Sequence, residues 1–165
     1  MIIKLYLNLK YYFNFFIGNI GSLSSELLFI KQNYNKLNDN VAKNLLENIT
    51  YKQDKFNGTQ WDWQFDAKKT IKRGGGDCNS IHRVWQVYFH NQGYESFLAS
   101  YHANPFSKSH TFCIFKDKKT KKIYSCDYGD IIERTSTNKA FQEVSKTYNS
   151  TVVSSALQDI RWRVI

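Results

Sequence analysis

Three consecutive glycines, Gly74-Gly75-Gly76, followed by Asp77 and Cys78, interrupt the chain immediately ahead of its most regular stretch of helical periodicity. After Cys78, the residues Ile81, Val84, Trp85, Tyr88 and Phe89 recur at the i, i+3, i+4, i+7, i+8 spacing of a helix that buries one face, and Asn91-Gln92-Gly93 supplies its stop. Glycines lack a Cβ, so the backbone entering this helix can turn sharply and lie close against a neighbour. The amides at a helix start have no intrahelical acceptor and carry partial positive charge. A cysteine placed there is drawn towards thiolate, the nucleophilic form. The pattern predicts a central helix over 78–91 with a sulfur presented at its N-terminus.

Two strands downstream carry the groups that would complement such a sulfur. Residues 109–117 and 121–127 are rich in β-branched and aromatic side chains and are joined by a short charged turn, which predicts an antiparallel hairpin. With Lys118-Lys119 as the turn, cross-strand partners have numbers summing to 237, and His110 lies directly opposite Asp127. Opposed residues share a face with Cβ atoms about 4.5–5.5 Å apart, within reach of an imidazole–carboxylate hydrogen bond. A slip of one residue would place them on opposite faces. By alternation Cys113 and Cys126 point away from that face and read as small core residues.

The chemistry these residues imply is acyl transfer. His110 takes the proton of Cys78 and later returns it to a leaving amine, while Asp127 fixes the tautomer and orientation of the ring. The Cys78 amide is one oxyanion donor. A second is expected from the upstream segment holding Gln60, Trp61, Trp63 and Gln64, with Trp63 favoured; Trp61, Trp63, Gln64 and Asp77 are assigned to the oxyanion and substrate side of the cleft. Of the remaining histidines, His82 lies one turn beyond Cys78 and reads as packing or support, His90 as a helix C-terminal residue, and His102 as a strand-end or loop residue.

Elsewhere the pattern predicts helices over 3–17, 22–34 and 38–49, a loop over 50–66, a short helix over 66–72, strands over 95–102 and 130–134, a helix over 138–147 and a final strand over 159–165. Helices first and an antiparallel sheet second is an α+β organisation, with N-terminal helices and the Cys78 helix packed on the sheet. We read one domain over 1–165: an N-terminal helical extension over 1–37, a core over 38–135, and a C-terminal helix and strand over 136–165.

The formal net charge of +9 favours acidic partners, here a protein or peptide substrate. Lysines outnumber arginines 18 to 5 and are scattered without a nucleic-acid recognition motif, which argues against nucleic acid. The densest run, Lys116 to Lys122, falls at the hairpin turn and reads as a solvated tip. Three cysteines without CxxC or Cys/His ligand spacing support neither a disulfide framework nor a zinc site, and no cofactor or metal is expected. A reducing, cytoplasmic setting is the simpler expectation. The first twenty residues read as an amphipathic helix, with an atypical export signal as the open alternative. Their apolar runs are too short for a membrane span.

Taken together, Tyr51-Lys52-Gln53-Asp54, Trp61-Asp62-Trp63, Lys69-Thr70-Ile71, Gly75-Gly76-Asp77-Cys78, Ser109-His110-Thr111-Phe112 and Cys126-Asp127-Tyr128-Gly129 resemble the transglutaminase-like branch of the papain-like thiol enzymes, especially its small bacterial cysteine proteinases. The resemblance spans roughly residues 38–130. It implies a cysteine-helix core against an antiparallel sheet, Cys78, His110 and Asp127 as a triad, Trp63 on the oxyanion side, and hydrolysis of a peptide or isopeptide bond. The calcium-dependent members carry acidic residues just after the cysteine. Asn79 and Ser80 stand here instead, so no calcium site is carried over. Arylamine acetyltransferases, through Arg73-Gly74-Gly75, and cell-wall peptidases with an Asp-Cys-Ser box share part of the pattern and place the nucleophile at the same residue. Amine acyl transfer, and an idle domain that binds peptide or polyanion, are the alternative functions.

Overall fold

Residues 95–104 and 110–116 form strands buried at nearly every position, which requires cover on both faces of the sheet they share. The computed structural model describes residues 23–33, 49–53, 55–56, 59–60 and 65–165. In chain order these form α1 (Leu23–Asn33), the two-residue strands β1 (Thr50–Tyr51), β2 (Lys55–Phe56) and β3 (Thr59–Gln60), α2 (Ala67–Lys72), β4 (Gly75–Gly76), α3 (Cys78–Asn91), β5 (Glu95–Asn104), β6 (His110–Lys116), β7 (Ile123–Asp127), β8 (Asp130–Arg134), α4 (Thr137–Thr147) and β9 (Thr151–Gln158). The main sheet is five-stranded and antiparallel throughout, in the order β8-β7-β6-β5-β9. Ile81, Val84, Trp85, Tyr88 and Phe89 of α3 pack with Cys113, Phe115 and Cys126 on one face. Ala140, Phe141 and Val144 of α4 pack with Ala99, Tyr101, Phe112 and Ile114 on the other. The fold class is α+β, with the cysteine-bearing helix against an antiparallel sheet.

Helix α3 starts at Cys78 because Asp77 caps it: its carboxylate accepts the Ser80 amide at 2.9 Å. The helix ends before Gly93, whose φ of +90° is readily adopted by glycine. The apolar spacing marks one buried face, yet the opposite face is buried too. Asn79, Ser80, His82, Arg83 and Gln86 are all under 5% exposed, covered by α1, α2, β5, β6 and the C-terminal turn.

Arg83 shows how that polar face is accommodated. Its guanidinium donates to both Glu26 carboxylate oxygens (2.9 and 2.7 Å), to Gln86 Oε1 (2.7 Å) and to the Ile160 carbonyl (3.0 Å), and it lies 3.9 Å from the Trp162 ring centroid. Glu26 Oε1 also accepts the Ala67 amide at the start of α2, at 2.7 Å. One ion pair thus joins α1, α2, α3 and the chain's end.

Three expectations are corrected. The segment expected as a loop over 50–66 holds the short strands β1, β2 and β3, the first paired with β4 and the other two with each other. The 118–119 turn is longer than two residues: Asp117 pairs with Lys122, its carboxylate accepts the Lys119 amide (2.7 Å) and the Thr120 amide (3.2 Å), and Lys121 takes φ +62°. Cys113 therefore pairs with Cys126, and partner numbers sum to 239 rather than 237. The shift is two residues, so every side chain keeps its face. The final strand is Thr151–Gln158, not 159–165. Asp159 instead folds the last residues into a turn by accepting the Arg161 and Arg163 amides, with Trp162 at φ +67°, and only a single bridge, Gln158 to Val164, returns to the sheet. The helices expected over 3–17 and 38–49 fall outside the described residues apart from Ile49, which is not helical.

Removing one member of the buried Glu26–Arg83 pair strands the other charge in the interior, so Glu26→Ala is expected to destabilise the fold by roughly 3–5 kcal/mol, read as the shift of the urea unfolding midpoint.

Candidate active site

The loop ahead of Cys78 is set by a close backbone approach. β1 pairs in parallel with β4, Thr50 opposite Gly75 and Tyr51 opposite Gly76, with the Lys52 amide donating to the Gly76 carbonyl at 2.8 Å. Gly75 sits at φ +148°, and a Cβ there would lie 2.0 Å from the Thr50 carbonyl oxygen; one on Gly76 would lie 2.6 Å from Ser80 Cβ. These contacts require glycine, and they hold the segment that delivers Cys78 to the helix start. Cys78 is partly exposed, whereas Cys113 and Cys126 are fully buried. Burial pushes both of those thiols well up, leaving them protonated and inert.

His110 opens β6 and Asp127 closes β7, so both stand at the same end of the sheet. In the 239 register they are diagonal neighbours on one face. His110 Nε2 donates to Asp127 Oδ1 at 2.8 Å. A carboxylate only accepts, so the proton is on Nε2 and the Nδ1 lone pair of the neutral ring is the basic one. Tyr148, at the end of α4, donates its hydroxyl to Asp127 Oδ2 at 2.8 Å and packs its ring 4.5 Å from that of His110.

Alternation places His110 and Asp127 on the α4 face, while Cys78 belongs to the helix on the α3 face. The end of the sheet that carries His110 and Asp127 is tied to the start of α3. His82 makes the junction: Nδ1–H donates to the Cys78 carbonyl at 2.8 Å, Nε2 accepts the Tyr128 amide at 2.9 Å, and its ring lies 5.5 Å from that of His110. A second junction runs beside it. Thr111 donates its hydroxyl to Asn79 Oδ1 and accepts from the Ser100 hydroxyl at 2.8 Å. The residue after Cys78 is thus bonded to the residue after His110. The rings of Tyr101, Tyr128 and Tyr148 lie 6.2, 5.7 and 4.5 Å from that of His110.

Burial favours the neutral form of His110 and lowers its pKa, against the raising effect of its bond to Asp127. For Asp127 burial acts upwards, but the hydrogen bond from His110 and the electrostatic effect of the two neighbouring imidazoles outweigh it and hold the carboxyl well below the usual range. A fully charged pair would need a raised imidazole. We therefore take the resting state as a carboxylate beside a neutral, Nε2-protonated ring. Tyr128 and Tyr148 are pushed up by burial and by neighbouring negative charge, so both stay un-ionised.

His82, His110 and Asp127 bring one potential ligand atom each within 4.8 Å of one another. Those atoms are already engaged: Tyr128 N–H on His82, and His110 N–H and Tyr148 O–H on the carboxylate. A pocket of about 450 Å³ between α4 and β9, lined by Phe141, Lys146, Ser150 and Val152 among others, contains none of Cys78, His110 or Asp127.

Asp77, expected in the cleft, is 7% exposed and spends its carboxylate on the helix cap. Trp61, Trp63 and Gln64 lie outside the described residues. His90 is in the last turn of α3, and His102 lies within β5, stacked 5.1 Å from Phe106. Sequence reading missed Tyr148, a lone aromatic at a helix end that carries no motif. It also missed the Asn79–Thr111 tie, which no sequence motif marks.

No family model matches the chain, and no curated protein matches it. Among solved structures it is similar to calcium-bound LapG of Legionella pneumophila, with a TM-score of 0.44 and 14% identity over 87% of this chain and 72% of that one. No helix among the described residues is long and apolar enough to cross a membrane.

The Tyr148 hydroxyl bonds a charged carboxylate, so Tyr148→Phe is expected to cost about 1.5–3 kcal/mol in chemical denaturation at neutral pH. An unchanged unfolding midpoint would show that the hydroxyl does not hold Asp127.

Proposed function

We propose that this protein is a thiol-dependent acyl-transfer enzyme of the transglutaminase-like cysteine peptidase type, hydrolysing a peptide or isopeptide bond with Cys78 as nucleophile, His110 as base and Asp127 as the group that orients it. The observation that carries the reading is the His110 Nε2–H bond to Asp127 at the sheet end, where it meets the helix whose first residue is Cys78. Nδ1 of His110 accepts the thiol proton, and the sulfur attacks the carbonyl carbon. The oxyanion that forms is assigned to the Cys78 amide at the start of α3 and to a second donor, assigned from sequence to Trp63. The imidazolium protonates the leaving amine, the C–N bond breaks and a thioester remains. Water, deprotonated by His110, then releases the acid and restores the thiol.

Substrates are proposed to be protein or peptide segments, with acidic ones favoured by the chain's +9 charge. The lysine-rich tip between β6 and β7 is at the opposite end of a seven-residue strand from His110, roughly 20 Å away, so it acts at long range only. None of the proposed steps uses a metal or cofactor, and we place the domain in a reducing compartment.

Iodoacetamide at neutral pH is expected to label Cys78 well ahead of glutathione, and His110→Ala to abolish that advantage. Asp127→Asn should keep the fold and cut peptide turnover about a hundredfold or more. Labelling of Cys78 no faster than a free thiol would remove the proposal. Fast labelling with no turnover on any peptide pool would favour the idle binding domain.

A further inference from the structure

We infer that His82 is a positioning residue that fixes Asp127 relative to Cys78 by bridging the first turn of α3 to the turn between β7 and β8. This inference rests on the reading of Cys78, His110 and Asp127 as the reacting set.

The argument starts from the turn. Asp127 pairs with Asp130, leaving Tyr128-Gly129 as a two-residue loop with φ of +48° and +92°. Positive φ at both central positions is what a type I′ turn requires, and such turns favour Asn or Gly at the first position. Tyrosine there costs roughly 1 kcal/mol of backbone strain, so something must hold it. The Tyr128 amide donates to His82 Nε2 at 2.9 Å, and the Tyr128 ring lies against the His82 ring at 4.7 Å between centroids. On the other side of the imidazole, Nδ1–H donates to the Cys78 carbonyl at 2.8 Å. The ring is fully buried, and both nitrogens are used in a fixed sense: Tyr128 N–H can only donate and the Cys78 carbonyl can only accept. The neutral Nδ1–H tautomer is thereby selected.

The consequence for Asp127 is geometric. Its Oδ1 lies 3.2 Å from His82 Nε2, whose lone pair points to Tyr128, so His82 bounds the carboxylate without taking its hydrogen bond. Asp127 is left to accept from His110 and Tyr148. The ionisable groups around His82 are Cys78, His110, Asp127 and Tyr128. An aliphatic residue at 82 would release the Tyr128 amide and let the strained turn, and Asp127 with it, move away from His110. The imidazolium would then be less stabilised, and the thiolate would form only at higher pH.

The test is the rate of Cys78 alkylation by iodoacetamide against pH, followed by mass spectrometry of the Cys78 peptide, in wild type, His82→Leu, His82→Gln and His82→Asn, with glutathione as reference. Glutamine reaches the Tyr128 amide with its carbonyl, whereas asparagine reaches only the Cys78 carbonyl with its amide. The expected result is an acid limb moved towards neutral pH in His82→Leu and His82→Asn, with a rate at pH 6 lower by roughly ten- to a hundredfold, and a limb near that of wild type in His82→Gln. A residue that served packing alone would lower the melting temperature and leave the limb in place. That outcome, or an Asn variant equal to wild type, overturns the inference while the nucleophile assignment stands. A wild-type protein no faster than glutathione overturns both.

Discussion

A helix buried on every side cannot tolerate unpaired polar groups, and α3 carries five polar residues in that condition. Their partners determine what surrounds the helix. Asn79 takes Thr111 of β6, Ser80 Oγ takes the Phe65 amide ahead of α2, and His82 takes the turn after β7. Arg83 takes Glu26 of α1 and the Ile160 carbonyl, while the Gln86 side chain donates to the Gln158 carbonyl of β9 at 2.9 Å and accepts from Arg83 at 2.7 Å. Each bond in water would add about 1 kcal/mol, but each one broken inside leaves a buried donor or acceptor at a larger cost. The network therefore acts less as added stability than as specification: only one arrangement of the neighbouring elements satisfies every member.

That specification reaches the site because two of the five residues bond to the strand and the turn that carry His110 and Asp127. Asn79 follows the proposed nucleophile and grips the residue after His110; His82 lies one turn on and grips the residue after Asp127. Side chains that belong by alternation to the far face of the sheet are thereby brought level with the helix start. Neither the helix nor the hairpin could supply this alone, since the separation between them is set by bonds that run from one to the other.

The legible part of this arrangement was local. Helix α3 was visible from its apolar period, the glycine run ahead of it and its Asn91-Gln92-Gly93 stop, and the strands from runs of Phe, Ile, Tyr and Thr; the capping role of Asp77 was not. The shared face of His110 and Asp127 survived a wrong turn length because Lys118 to Lys121 inserted two residues, an even number. What was hidden depended on distant contacts. The burial of Asn79, His82, Arg83 and Gln86 cannot be read from a helical wheel, which shows them as an ordinary solvated stripe. Thr151–Gln158 has too many serines to announce a strand, and becomes one through pairing with β5. Tyr148 gains its place only when α4 packs across the sheet.

Electrostatics then ties the hydrogen-bond network to the proposed chemistry. The phenols of Tyr128 and Tyr148 are pushed up and stay neutral, so the carboxylate of Asp127 is the fixed negative charge beside His110. Burial alone makes the imidazole a weaker base, and the Asp127 bond is what opposes that effect. In such a setting a small displacement of the carboxylate has a large consequence, because little solvent is present to replace it and the local dielectric is low. A base that depends on one carboxylate needs that carboxylate held from several sides. Tyr148 from α4, His110 from β6 and the His82-anchored turn from α3 converge on it from three separate elements, each fastened to a different layer of the fold.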